Sequence, residues 1–218
     1  SNGGNDIAVA NSGDSTIVIL ASASSRAQPL GNGGETSVDI GPSTIDPGDT
    51  TNPKDLDPLV SASRSDGKVV VVKGTTALRG YDEIEYYEVG NGPEDLVIGD
   101  LSGDGLSDIA TADADTGTIS ILVQDSDGSY LPAISFELGT IGQNGVPSQS
   151  PQSMALGDYD VDGDLDIALV VLYPSSGELV EKTLRNDSIS GTILFSVDSS
   201  YGQGTNPSIV RSADVNGD

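Results

Sequence analysis

Apolar residues along this chain come in short runs of Val, Ile, Leu and Ala, separated by turns rich in Gly, Asp, Asn and Ser. Runs of that length and β-branched character read as strands, and no stretch keeps a helical period. The clearest unit predicts strands at Leu96–Gly99, Asp108–Ala112, Thr118–Gln124 and Ile134–Leu138. Its turns include Asp113-Ala114-Asp115-Thr116-Gly117 and Asp127-Gly128. The longest apolar run, Ile167 to Tyr173, is apolar on both faces, which a sheet with one wet face does not need. A small sheet held between two like sheets does. The run also falls far short of the roughly 20 residues of a membrane-spanning helix.

Self-similarity sets the architecture. Gly92 to Ala110 returns 58 residues later, without a gap, as Ser150 to Ala168. A third copy starts at Asn206-Pro207-Ser208-Ile209-Val210 and runs to Asp214-Val215-Asn216-Gly217-Asp218, offset by 56. Asp6 to Leu20 aligns on Asp108 to Leu122, so the N-terminal region carries the back half of another copy. A degenerate copy is read at Pro58 to Gly67, followed by Lys68 and Val69 to Val72. Four-stranded units of this size, stacked face to face, describe an all-β protein of β-propeller type with about four blades. The blades are placed at about 1–57, 58–94 (degenerate), 95–151 and 152–208, with 209–218 starting a further blade or supplying a closing strand. A parallel β-helix has shorter rungs and immunoglobulin-like modules are longer.

The chemistry lies in the pattern Asp-x-[Asp/Asn/Ser]-x-Asp-Gly-x-x-Asp. Hard oxygen donors at alternate positions wrap a cation at about 2.3–2.6 Å, and the Gly permits the sharp reversal. Asp100, Ser102, Asp104 and Asp108 offer side chains in the first loop, with the Leu106 carbonyl as a backbone ligand. Asp158, Asp160, Asp162 and Asp166 do so in the second, with the Asp164 carbonyl. Asp214, Asn216 and Asp218 begin a third loop at the end of the sequence. Ligation by oxygen alone selects Ca²⁺ over zinc or copper. The twelfth residue counted from Asp100 is Thr111 and from Asp158 is Leu169, so neither loop carries the closing acid of an EF-hand or a dockerin. Solvated Asp/Gly turns are the plainer alternative. They fit one turn better than two complete copies, whose carboxylates repel one another unless a cation sits among them.

Composition narrows the function classes. The 34 acidic residues against 9 Lys+Arg give a net charge of −25, which argues against nucleic acid and anionic membranes as partners. Cys and His are both absent, which removes disulfides, zinc-thiolate sites and imidazole- or thiol-based catalysis. The polar start, Ser1 to Asp6, is no signal peptide, and the chain reads as a processed or trimmed piece of a longer protein.

The Gly-Asp-x-x-Gly-Asp-Gly-x-x-Asp-Ile-Ala pattern resembles the FG-GAP/VCBS repeat family, the blades of integrin α-subunit propellers and of many secreted bacterial proteins. The resemblance implies a calcium-binding β-propeller, usually of seven or eight blades, working in adhesion or extracellular recognition. The sequence departs from it in places. The degenerate copy puts Ala62, Arg64 and Val70 at ligand positions, so no metal is expected there, and the first copy keeps only Asn2, Gly3 and Asp6. About four blades fall short of the family's rings, so a fragment of a larger propeller is preferred over a closed four-bladed ring or self-assembly. In the closed alternative, Ser208–Ala213 completes the blade begun by Asp6–Ala10.

The leading expectation is a non-enzymatic, Ca²⁺-stabilised extracellular module, secreted or at the cell surface, with a protein or glycan ligand. By resemblance, partners bind the face opposite the calcium loops. That face holds Asn11–Ser15, Asp113–Gly117 and Tyr173–Gly177, with the inter-blade segments Pro42–Asp57, Asn91–Asp95 and Thr140–Ser150. A lectin-like propeller is the alternative. A calcium-dependent polysaccharide lyase is less favoured, because only scattered Lys54, Lys68, Lys73 and Lys182 could serve as base. Tyr81, Tyr86, Tyr87 and Asp82-Glu83 form the one aromatic-acidic cluster, read as an outer strand rather than a binding site.

Overall fold

The computed structural model describes residues 7–11, 13–20, 35–37, 41, 44–47, 58–75, 80–142, 144–189, 192–198 and 207–213. Among them the regular structure is all strand. Strands β1 (Ile7–Asn11), β2 (Thr16–Leu20) and β3 (Glu35–Ser37) form a three-stranded sheet. Three four-stranded sheets follow: β4 (Thr44–Pro47) to β7 (Gly80–Glu88), with β5 (Leu59–Ser63) and β6 (Lys68–Thr75) between them; then β8 (Pro93–Gly99), β9 (Asp108–Asp113), β10 (Thr118–Leu122) and β11 (Ile134–Glu137). The last comprises β12 (Ser150–Gly157), β13 (Asp166–Tyr173), β14 (Glu178–Asn186) and β15 (Phe195–Asp198). Each sheet is an antiparallel meander, and the first strands β1, β4, β8 and β12 touch in chain order. This is the stacking of propeller blades, and among the described residues the stack does not close into a ring.

The two-faced strands form because each sheet is covered on both sides. In β6, Val69 and Val71 pack with Leu96, Ile109 and Leu122 of the third sheet, while Val70 and Val72 pack with Ile17 of the first. In β9 and β10, Ala110, Ala112, Ile119 and Ile121 face Met154, Ile167, Leu169 and Val171 of the fourth sheet. Alternate side chains of a strand point to opposite faces, so a continuous Val/Ile/Ala run buries everything only between two neighbours.

Three corrections concern the sequence-based boundaries. The unit expected to begin at Pro58 takes its first strand from Thr44–Pro47, which pairs Thr44 with Ala62. In addition, Arg64–Gly67 is not a degenerate acidic loop. The N–H of Gly67 donates to the Ser63 carbonyl at 3.1 Å, as Gly117 does to Asp113 and Gly177 to Tyr173 at 2.8 Å. All three glycines have positive φ, so this is the turn between the second and third strands of a blade. Ala62, Arg64 and Val70 therefore do not occupy ligand positions; the shared Asp-Gly pair misled the alignment. The connection before β5 that corresponds to the acidic loops, residues 48–57, lies outside the described residues.

The third correction is at the C-terminal side, where Ser208–Ala213 forms no strand. Val210 N–H donates to Ser153 Oγ at 3.4 Å, much as Met154 N–H donates to Asp95 Oδ2 at 3.0 Å. This segment sits beside β12 as β12 sits beside β8, the place of a further blade's first strand.

Gly117 is needed for two reasons. Its φ is +71°, and a Cβ there would stand 2.6 Å from the Gln149 carbonyl oxygen. Gly177 has a similar φ of +73° but open space around it. Left-handed backbone costs a residue with a Cβ about 1–2 kcal/mol. Urea unfolding should therefore show Gly177→Ala losing about that much and Gly117→Ala clearly more; equal losses would show that the Gln149 contact does not matter.

Candidate metal centre

The acidic loops join the first and second strands of the third and fourth sheets, and one register closes both. Gly99 pairs with Asp108 and Gly157 with Asp166. Without a Cβ, Gly99 lies close to the neighbouring blade, where a methyl group would meet Leu156 and Leu165 at 2.7 and 2.9 Å. The loops thus lie side by side at one end of the stack.

In each loop the first Asp gathers backbone N–H groups. Asp100 accepts from Gly103, Asp104 and Gly105 at 2.8–3.1 Å. Asp158 accepts from Asp162 and Gly163, both at 3.1 Å. The last Asp is buried and ties the loop to its own sheet. Asp108 Oδ2 accepts from Leu101 and Ser102 at 3.0 and 2.9 Å, and Oδ1 from Gln124 at 2.9 Å. Asp166 accepts from Tyr159 and Asn186, both at 2.8 Å. Burial pushes Asp108 above the ordinary carboxylate range, against the three backbone donors, and the charge of Asp104 adds to the rise. Asp160 is likewise pushed up, first by loss of water contact and then by the charges of Asp162 and Asp166.

The carboxylate oxygens of Asp158, Asp160 and Asp166 lie within 4.8 Å of one another, the one such trio among the described residues. Asp162 stands outside it and turns its Oδ1 to the Asp164 N–H at 3.0 Å. In the first loop Asp100, Asp104 and Asp108 are not so closely gathered. There Ser102 is only 4% exposed, and its hydroxyl is a buried polar atom with no hydrogen-bond partner among the described residues. Buried hydroxyls are normally satisfied, so an orphan at the second donor position fits an oxygen-seeking cation. Carboxylates, a hydroxyl and loop carbonyls are a donor set that matches Ca²⁺. Asp214, Asn216 and Asp218, with Asn2, Gly3 and Asp6 of the first copy, lie outside the described residues.

Two features escaped sequence reasoning. Asn186, at the end of β14, touches both loops, which only strand pairing could reveal. Asp113, at the opposite end of the third sheet, is fully buried. It accepts from the hydroxyls of Ser120, Thr111 and Thr118 and, at 3.2 Å, from the Gly90 N–H of the inter-blade link. Burial outweighs these donors and raises its pKa to about 6. Nearby, Arg64 pairs with Glu94 and Asp115 across the second and third sheets. The tyrosine cluster resolves into structure: Tyr87 packs edge-on against Tyr130 at 5.4 Å and donates to Glu85. Tyr86 is exposed on the outer strand β7.

Residues 100–169 match the FG-GAP-like repeat model, which bears out the motif resemblance over that segment. No curated protein sequence matches the chain. Among solved structures, it is similar to a putative 6-phosphogluconolactonase from Bacteroides fragilis, with a TM-score of 0.56 and 14% identity. The match covers 94% of this chain and 53% of that one, so this chain spans about half the length of that protein. At this identity the likeness is one of fold, in keeping with propeller blades. It also corrects one expectation: a protein of the same architecture carries an enzyme assignment, so the reading of this chain as a non-enzyme does not stand.

Proposed function

We propose that this chain is a calcium-binding propeller segment that acts in recognition outside the cell. The support is the paired acidic loops: same register, same end of the stack, Asp158, Asp160 and Asp166 gathered in one and the orphan Ser102 hydroxyl buried in the other. A cation in each loop would be held by Asp100, Ser102, Asp104 and Asp108, with the Leu106 carbonyl, and by Asp158, Asp160 and Asp166, with the Asp164 carbonyl, while Asp162 holds the loop backbone at the Asp164 N–H. The negative field of the chain favours cation capture but disfavours polyanionic partners. Loops of this kind fill where Ca²⁺ is millimolar, which is the extracellular condition.

The recognition surface in this reading is the opposite end, where the turns Ala114–Gly117 and Arg64–Gly67 stand side by side through the Arg64–Asp115 pair. Calcium fixes the blades and so fixes the spacing of these turns. The ligand class follows from an array experiment in calcium and in chelator. A protein ligand predicts a blank glycan array and chelator-sensitive capture of a surface protein. Glycan binding lost on chelation would replace that ligand with a sugar. Capture of the same partner with and without calcium would contradict the reading.

A further inference from the structure

We propose that Asn186 couples the two acidic loops, so that filling one tightens the other; this rests on the reading of the loops as Ca²⁺ sites. Asn186 is 2% exposed and ends β14 of the fourth sheet. Its Nδ2 donates to the Leu101 carbonyl of the first loop at 3.0 Å and to the Leu165 carbonyl of the second at 3.1 Å. These two bonds use both Nδ2 hydrogens, and its Oδ1 accepts from Ser188 N–H at 3.0 Å, which fixes the orientation of the amide. Both flanking peptides run on to the buried carboxylates. The Ser102 N–H, in the same peptide unit as the Leu101 carbonyl, donates to Asp108 at 2.9 Å, and Asn186 N–H donates to Asp166. A continuous hydrogen-bonded path therefore leads from Asp108 through the Leu101 peptide and Asn186 to Asp166, crossing between blades.

The physical basis of coupling is that one amide must meet two carbonyls at once. A cation that orders Asp100 to Ser102 sets the Leu101 carbonyl, and the amide it anchors then holds Leu165 and Asp166 for the second cation. The ordering of Asn186 is shared between two binding events, so the second requires less of it. Coupling between sites typically amounts to about 5–150-fold in affinity, and it is reciprocal. Asn186 acts here as a positioning residue, since its own side chain is spent on the two carbonyls and Ser188.

The test is calcium titration calorimetry on the whole chain with one loop silenced at a time by a same-shaped substitution. Asp160→Asn should weaken Ca²⁺ binding at the first loop about tenfold, and Asp104→Asn should weaken the second loop by the same factor. In the Asn186→Ala background both ratios should fall to near one while two sites remain. Asn186→Asp keeps the shape and the Ser188 contact but has no donor for the carbonyls. It should abolish coupling equally, and it serves if the alanine variant does not fold. Loop affinities indifferent to silencing of the other loop would overturn coupling alone. So would tenfold coupling that survives both Asn186 variants. A native chain that binds no Ca²⁺ would overturn the loop reading and the coupling with it.

Discussion

Removal of calcium at neutral pH is expected to lower the melting temperature by roughly 10–20 °C. Each site adds about 2.7 kcal/mol at a hundredfold excess of free ion over the dissociation constant, and one kcal/mol moves the midpoint of a chain this long by about 2–4 °C. The metal-free loops supply the opposite tendency. Asp108 and Asp160 sit above their ordinary pKa range, so proton uptake favours the folded apo form as pH falls towards the unfolded carboxylate value. A bound cation would depress the same groups. Its stabilisation is then present above their unfolded pKa and is lost as pH falls through the lower folded values. The two melting curves should converge in mild acid and separate at neutral pH. Differential scanning calorimetry with and without chelator from pH 4 to 7.5 checks both. A melt indifferent to chelator, in protein loaded beforehand, would reduce the loops to acidic turns.

The second large effect lies away from the metal. Asp113 has a folded pKa of about 6 against an ordinary value of 3.8, a gap worth about 3 kcal/mol. The folded state holds this proton more tightly than the unfolded one. Stability from Asp113 is therefore fully present below the unfolded value and is lost as pH rises through about 6. Thr111, Thr118, Ser120 and the Gly90 N–H surround the group; on the turn that follows it stands Asp115, which pairs with Arg64 of the second sheet's turn, itself paired with Glu94 of β8. Asp113→Asn keeps the shape without the charge. Chemical denaturation should show it more stable than the native chain at pH 8 by about 1–3 kcal/mol, with the gain gone by pH 4. Loss of stability at both pH values would mean that the hydroxyls and Gly90 need the carboxylate more than burial penalises it.

Much of the fold was legible because two-faced apolar strands such as Ile167 to Tyr173 have one physical use, burial between like sheets. The acidic loops were legible because Gly-Asp and the closing Asp keep one spacing in both copies. The degenerate blade was misread because Asp66-Gly67 copies the wording of the acidic loop while serving as the hairpin turn that Gly117 and Gly177 also make. Only pairing of Leu59–Ser63 with both Thr44–Pro47 and Lys68–Thr75 separates these uses. Asn186 was invisible for a related reason: its importance comes from Leu101, 85 residues away in sequence. Within the second loop, spacing treated Asp160 and Asp162 alike, and geometry separates them.

Calcium titration of metal-free protein decides whether the acidic loops are Ca²⁺ sites. The native chain should bind at least two Ca²⁺, with Mg²⁺ a poor substitute because the loops offer more donors than its tight octahedron takes. Asp160→Ala should remove one site. Asp66→Ala, in a turn where its carboxylate is held by the Ser63 and Ser65 hydroxyls, should remove none. Preference for Zn²⁺ over Ca²⁺, or an unchanged stoichiometry in Asp160→Ala, would contradict the assignment.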